Sequence, residues 1–539
     1  MRYRSIFPAL VCGSLVSALM MSQSLAQNDS AIALLAEFRP IGGSGNNLRN
    51  PGLDAVPGSP QLALTALNFA KGTDDGLVGG PNARAISNVI AGGTGGNGVD
   101  AETTDPTASA WVYVFGQFVD HDLDLESTPA SGVAIAIAVP TGDPVFAAGT
   151  SIALTRAVRS PVTNTIINTV AGYLDLSQLY GSTVASALSL RNSDGTLKSS
   201  ANGHDLPVVN DAFVTGDARV MENPELSAVT TLFMREHNYW VAALRAQHSE
   251  WSGDQLYQMA RAITTAEYQN IVYAEYLPVL IGAAADPYQG YDPRVNAQVS
   301  QEFSAAAFRV GHSQVSDTQE GLDNNGQVTF TQSLAQAFFN TAAIDEANGI
   351  NPLLRSLGVD YAQATDVYTV AVLRNLLFAP LVGGDIDQMD LIAIDIQRER
   401  DVGLGSLNQT RQAIGLAPYG SFAQLTDDPT LQSNLETVYG NINAVDLFIG
   451  GLAEPHARGS LVGQTFQAII ARQFRALRAG DRFYWQNQPF DRTTARMIEA
   501  TTLGKIILRN TDTTSLQPNV FIAAPSAHRK NRVAPDPAH

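Results

Sequence analysis

Hydrophobic residues along this chain recur mostly at helical spacing. From Trp111 to Leu125, WVYVFGQFVDHDLDL, apolar side chains fall at Trp111, Val114, Phe115, Phe118 and Val119, the i, i+3/i+4, i+7 stripe of a buried helix. Leu226, Val229, Phe233, His237, Trp240 and Leu244 trace one face of a second, longer helix. Pro224 suits its first turn, where a proline forfeits no helical N–H bond. Similar stripes run through Tyr257 to Leu280, Leu334 to Ile344, Val367 to Phe378 and Phe466 to Leu477, the last closed by Gly480. Helical spacing dominates from Ser177 onward, whereas residues 129 to 170 show β-branched and Ala-rich runs broken by Pro and Gly, which predicts a few short strands. There is no regular repeat and no strand–helix alternation, so the expected fold is mainly α, a large body with few short strands.

Residues 27 to 105 are rich in Gly, Asn, Pro and Ala, as in GGSGNN, DDGLVGG and AGGTGGNGVD, and read as an irregular arm packed on a body spanning 106 to 523. Residues 524 to 539, APSAHRKNRVAPDPAH, are polar and Pro-containing, and are expected to form a flexible tail. At the other end, Arg2 and Arg4 precede an apolar run from Ile6 to Met21, and Ser24-Leu25-Ala26 fits a small-residue cleavage site. Residues 1 to 26 therefore read as a secretory signal peptide. The run is interrupted by Pro8, Gly13, Ser14 and Ser17 and is shorter than the ~20 residues a membrane span needs. Export, to a periplasm or out of the cell, is expected, with no transmembrane anchor after cleavage.

The single cysteine, Cys12, lies in that leader, so the processed chain would hold neither a disulfide nor a thiolate metal site. Its stability must come from core burial and bound ligands. Losing Arg2 and Arg4 takes the formal net charge from −18 to about −20. Such a surface repels nucleic acid and anionic membranes, and a nucleic-acid partner is excluded.

Four clusters carry candidate chemistry. In the first, Gln117 and His121 lie four apart on one helix face, with Asp120 and Asp122 flanking the histidine. Burying unpaired polar groups costs about 2–7 kcal/mol each, so a cofactor and a cation are natural partners. The second is GYLDLSQLYGS, Gly172 to Ser182. Asp122, Asp175 and Ser177, with the carbonyls of Ala171 and Tyr173, make an oxygen-only set that suits calcium better than zinc. The ordinary reading of Asp-x-Ser is a turn cap. The third is GDARVMENPEL, Gly216 to Leu226, where Arg219 and Glu222 precede a helix; an exposed ion pair and a first-turn dipole residue are the ordinary roles there. The fourth is AAAFRVGH, with Arg309 and His312, and its expected partner is IDIQRERD, with Asp395 and Arg398. An isolated histidine in such a place is usually a core residue.

Taken in order, these segments resemble the animal-type haem peroxidases, the family of myeloperoxidase, lactoperoxidase, thyroid peroxidase and peroxidasin, to which cyclooxygenases are more distantly related. The segments are GQFVDHDLD, GYLDLSQLYGS, GDARVMENPEL with REHN, FRVGH, and IDIQRERD, with VDLFIGGLAE and RQFRALRAGDRFYWQN further on. The resemblance runs from about Arg39 to about Asn519 and implies one large haem-peroxidase domain holding haem b. It also implies His312 as the axial iron ligand, His121 as the distal acid–base, Arg219 as the distal arginine and Gln117 in the peroxide and halide pocket. Asp120 and Glu222 match carboxylates that form ester bonds to haem methyl groups. Arg309 and Arg398 match residues near the propionates, Asp395 supports the proximal histidine, and Asp122, Ala171, Tyr173, Asp175 and Ser177 would hold calcium.

Three positions depart from the family pattern. Asn223 stands where myeloperoxidase has its sulfonium-forming methionine, Ala171 replaces a threonine that helps bind calcium, and Asp395 replaces an asparagine. The expected activity is oxidation of small donors, such as phenols, iodide, thiocyanate or bromide, by hydrogen peroxide. A cyclooxygenase-like fatty-acid dioxygenase is disfavoured because Arg309 holds the place of the radical-forming tyrosine, three residues before the proximal histidine. An adhesion or matrix protein is disfavoured because every catalytic position is filled and no appended module is visible. His237 is expected to be structural, and His204, His248, His456, His528 and His539 have no evident partner.

Overall fold

The computed structural model describes residues 31–69, 80–92, 104–282, 287–378 and 387–524. The expected signal segment, most of the runs DDGLVGG and AGGTGGNGVD, and nearly all of the expected tail lie outside the described residues. The first long helix, α1 (Trp111–Leu123), forms where the stripe predicts it and ends two residues early, because Asp124 turns to extended backbone. Helix α2 (Pro224–Gln247) starts as expected: Pro224 sits in its first turn and Asn223 Oδ1 accepts the Leu226 N–H. Helix α3 (Gly253–Ile271) opens with a capping box between Ser252 and Gln255 and continues through a π turn, Val272–Tyr276, to Ile281. Short α4 (Gly311–Gln314) follows a 3-10 turn, Ala307–Val310; α5 (Leu391–Asp401) is capped by Asp390; and α6 (Gln464–Ala479) fills the last predicted stripe.

Helices α1, α2 and α3 meet in an aromatic knot. Phe118 stacks on Phe233 with ring centroids 5.0 Å apart, and Tyr268 meets both edge-on at 5.9 Å. All three rings are fully buried. Such pairs add about 0.5–1.5 kcal/mol each beyond area burial, enough to fix the rotation of α1 about its own axis. One turn along, Phe115 packs edge-on against Phe521 and Tyr276, at 5.2 and 5.5 Å, so the C-terminal segment seats the same helix. With its apolar stripe held this way, α1 turns Gln117, Asp120 and His121 toward a common cavity.

Strands are few. Among the described residues they form five two-stranded antiparallel pairs, including Ile137–Ala138 with Ser151–Ile152 inside the stretch expected to hold short strands. The molecule is 45% helical, and the mainly α expectation is borne out.

Two predicted helices do not form as read. The stripe from Leu334 to Ile344 breaks into Leu334–Ala337 and Ala343–Glu346, because Phe339 takes a left-handed conformation (φ +54°) between them. The stripe from Val367 to Phe378 holds only a single helical turn, Ala371–Arg374, before strand Leu376–Phe378 pairs with Asp387–Met389. Its Val367, Val370 and Val372 lower helix propensity, and the apolar positions are met by hairpin packing instead.

Candidate active site

A cavity of about 430 Å³ lies between α1 and α4, within the ~300–1,000 Å³ range of cofactor and ligand sites. His121 and His312, 191 residues apart in sequence, both line it. Gln117, Asp120, Arg219, Glu222 and Arg309 line it too, so the structure gathers seven of the sequence-predicted site residues around one space. Gly116 is required beside them: a Cβ there would lie 2.7 Å from the Tyr276 hydroxyl, which also borders the cavity.

On the α1 side the polar groups form an ordered set. Asn223 Nδ2 donates to Gln117 Oε1 at 2.9 Å, and Gln117 Nε2 donates to Glu222 Oε2 at 2.8 Å. His121 Nε2 lies 3.5 Å from that same Glu222 oxygen. Burial, helped by the nearby Arg219 charge, pushes His121 well below the usual imidazole range, so it is neutral near pH 7. Burial raises Glu222 to about 7 against the opposing pull of Arg219. It also raises Asp120, against Arg219 and Arg309, and raises Asp124 further because Asp120 stands beside it.

Arg219 is fixed by a residue that sequence reading missed. Asp217 Oδ1 and Oδ2 each accept from Arg219 Nε at 3.1 Å, and Oδ2 accepts from Nη2 at 2.6 Å. Nη2 also donates to the Asp124 carbonyl at 2.9 Å, tying the guanidinium to the end of α1. Although burial opposes it, Arg219 holds Asp217 below the usual carboxylate range. A signal was present in GDAR: an acid two residues before the arginine caps the 3-10 turn that carries it.

On the α4 side, His312 Nδ1 lies 2.7 Å from Asp395 Oδ2, and Arg309 Nη1 donates to Asp395 Oδ1 at 2.8 Å. Asp395 is fully buried on α5 and bridges the two residues that face the cavity. Among the described residues His312 Nε2 takes no hydrogen bond, and the ring borders the cavity. Arg398 does not line the cavity. Its Nε reaches Glu126 Oε1 at 2.8 Å, its Nη1 reaches Asp401 at 2.6 Å and its Nη2 donates to the Thr155 carbonyl. Glu126, also missed, does border the cavity and lies 3.7 Å from Arg309.

Of the predicted calcium residues, Asp122, Tyr173, Asp175 and Ser177 are hydrogen-bonded neighbours at the end of α1. Asp122 Oδ2 accepts the N–H groups of Asp175 and Leu176 at 2.9 and 3.0 Å, and Ser177 Oγ donates to the Asp122 carbonyl at 3.1 Å. Leu176 is left-handed (φ +60°), which folds the loop around Asp122. Asp175 Oδ1 is buried with no partner among the described residues. Among the described residues no group of three or more His, Cys, Asp or Glu side chains is placed to hold a metal ion, so a cation here would rely on two carboxylates plus neutral oxygens. Of the other histidines, His237 behaves as expected: it is buried, bonded to Tyr180 and the Gly195 carbonyl, and pushed by burial down to about 4.

Residues 38–521 match the family model described as animal haem peroxidase. The chain is 34% identical over 524 residues to peroxinectin A of Dictyostelium discoideum, covering 90% of this chain and 96% of that protein. Among solved structures it is similar to peroxidase A from Dictyostelium discoideum, with a TM-score of 0.80 and 32% identity over 90% of this chain and 99% of that one. The fatty acid alpha-dioxygenase of Arabidopsis thaliana shares the fold, with a TM-score of 0.74 at 18% identity over 95% of this chain and 91% of that one.

Proposed function

This chain belongs to the animal haem peroxidase family and is a haem-dependent oxidoreductase, and on that premise we propose that it uses hydrogen peroxide to oxidise small donors such as phenols, iodide, thiocyanate or bromide. The observation that carries the reading is the single cavity bordered by a neutral His121, a fixed Arg219 and a His312 whose Nε2 is unpartnered. Export is part of the proposal and rests on the leader-like segment at residues 1 to 26. No helix among the described residues is long and apolar enough to cross a membrane.

The residues fit a haem. His312 Nε2 would hold the iron, Arg309 would meet propionate charge from the cavity wall, and Arg398 would act from behind through Glu126. Asp120 and Glu222 both border the cavity and are the candidates for ester attachment. When bound, the haem would supply the redox chemistry that links reduction of hydrogen peroxide to oxidation of the donor.

The chain's own groups do the rest. Neutral His121 takes the proton from the inner peroxide oxygen at Nε2 and returns it to the outer one. Arg219 cannot lose its proton, and with Asp217 holding it no reorganisation is needed as charge builds on the leaving oxygen. Asp395 accepts the Nδ1 proton of His312 as a hydrogen bond, giving the imidazole more anionic character. Calcium would be held by Asp122, Asp175, Ser177 and the carbonyls of Ala171 and Tyr173. The unpartnered Asp175 Oδ1 supports this, and the missing Ala171 hydroxyl leaves room for water as a ligand.

Arg309, committed to Asp395, disfavours a fatty-acid dioxygenase, and oxygen uptake with linoleate would favour it. The decisive experiment is the absorption spectrum of the purified haem protein before and after stoichiometric hydrogen peroxide, in wild type and His312→Ala. A peroxide-induced change in wild type, lost with the normal ferric spectrum in the variant, is expected; an unchanged wild-type spectrum overturns the reading.

A further inference from the structure

Asn223, where this chain departs from the sulfonium-linked peroxidases, makes two side-chain bonds that run in opposite directions. Its Oδ1 accepts the Leu226 N–H at 2.8 Å and caps α2, while its Nδ2 donates to Gln117 Oε1 at 2.9 Å. The second bond decides which way round the Gln117 amide sits, because an amide offers an acceptor on one side and donors on the other. With Oε1 turned to Asn223, Gln117 presents Nε2 to Glu222 Oε2 at 2.8 Å. That carboxylate oxygen is the one 3.5 Å from His121 Nε2. The direction of each bond in this row is therefore set by the one before it, beginning at the helix cap.

We propose that Asn223 is a positioning residue: by fixing the direction of the Gln117 amide it supplies the donor that favours the ionised form of the Glu222 carboxylate beside His121. The inference deepens the peroxidase reading of the same cavity and concerns a part of it, the Asn223–Gln117–Glu222 row, that the reading itself does not require. Arg219, Asp217, Asp120 and His121 also face Glu222. None of them is bonded to Asn223, so each stays in place when residue 223 is changed.

Asn223→Asp keeps the cap, since Asp and Asn serve almost equally there, but replaces the donor by an acceptor. Gln117 then turns Nε2 toward residue 223 and its oxygen toward Glu222, and the carboxylate loses its donor. The test is infrared titration of the protonated Glu222 carbonyl band in haem-loaded protein never exposed to peroxide, with Glu222→Gln used to assign the band. A rise of about one pH unit in the midpoint is expected, a tenfold gain in proton affinity, the size of one lost hydrogen bond to a charged acceptor. The carboxylate introduced at position 223 also acts through space, whether or not Gln117 is present. In a Gln117→Met background the same substitution should therefore shift the midpoint no more than about threefold in affinity. Asn223→Ser, which keeps a capping oxygen, adds no charge and replaces the amide donor by a hydroxyl on a shorter side chain, should give a smaller rise. Melting temperatures should match wild type, because the cap survives in both variants. Equal shifts with and without Gln117, or no shift at all, would overturn the proposal. The band reports the carboxyl group itself, so this result stands apart from whether peroxide is consumed.

Discussion

Nδ1 of His312 sits 2.7 Å from Oδ2 of Asp395, while the other oxygen of that carboxylate takes Arg309 Nη1 at 2.8 Å. An anion behind an iron-binding imidazole strengthens it as an electron donor and favours the ferric state. Arg309 shares the charge and tempers the effect without cancelling it. Asp395→Asn should raise the ferric/ferrous potential by about 60 mV or more, one decade in the relative affinity of the ligand for the two oxidation states. Spectroelectrochemical titration reads this directly, and the wild-type value should lie below that of myeloperoxidase, whose equivalent residue is asparagine. Bromide and chloride oxidation should be correspondingly weak in wild type and stronger in the variant.

Asp217 clamps Arg219 through Nε and Nη2 and keeps its charge beside the distal space. Arg219→Gln should slow the bimolecular reaction with peroxide by roughly 10²–10³, the usual effect of removing one fixed donor from developing negative charge. Asp217→Asn, which leaves the guanidinium in place but loosens it, should cost about tenfold. Stopped-flow absorption separates the two, and both variants should keep the wild-type ferric spectrum.

The loop behind α1 proposed to hold calcium leaves Asp175 Oδ1 buried with no partner among the described residues. Calcium at 100 times its dissociation constant should stabilise the fold by about 2.7 kcal/mol, seen as a calcium-dependent rise in Tm by calorimetry. Asp175→Asn should abolish that dependence. Ala171→Thr, which adds a hydroxyl beside the carbonyl proposed as a ligand, should tighten calcium about tenfold.

Glu225, buried on α2 and facing Asp360, is raised by burial and that neighbour to about 8 from an ordinary 4.5. Between these values the folded protein holds a proton that the unfolded chain has released, so stability falls as pH rises through this window. The stabilisation from the neutral acid is fully present below about 4.5 and lost above about 8. Glu225→Gln should flatten this part of the stability profile by a few kcal/mol, since each tenfold change in proton affinity is worth about 1.4 kcal/mol. Chemical denaturation at pH 5, 7 and 9 measures it. A slope identical to wild type would mean that Glu225 ionises normally.

The long helices were legible because each buries one full stripe: α1, α2 and α6 are read from spacing to within three residues. The stripe from Val367 to Phe378 misled because a hairpin edge and a helix can present the same short apolar run. At the site, spacing within α1 put Gln117 and His121 on one face, but nothing local relates His121 to His312 across 191 residues. That pairing came from the family resemblance, and the cavity brings the two together. Asp217 and Glu126 were missed because their importance lies in which arginine they hold, a property of the fold and not of their neighbours in sequence.

Phe115, one turn before the distal residues on α1, is walled in by Phe521, and Arg39 is paired with Asp481, 442 positions later. Neither contact exists until nearly the whole polypeptide has been synthesised. Long-range closures of this kind make assembly slow and keep early segments without their partners. A truncation that removes only the last dozen or so described residues takes Phe521 away and would unseat the helix that carries the proposed distal residues.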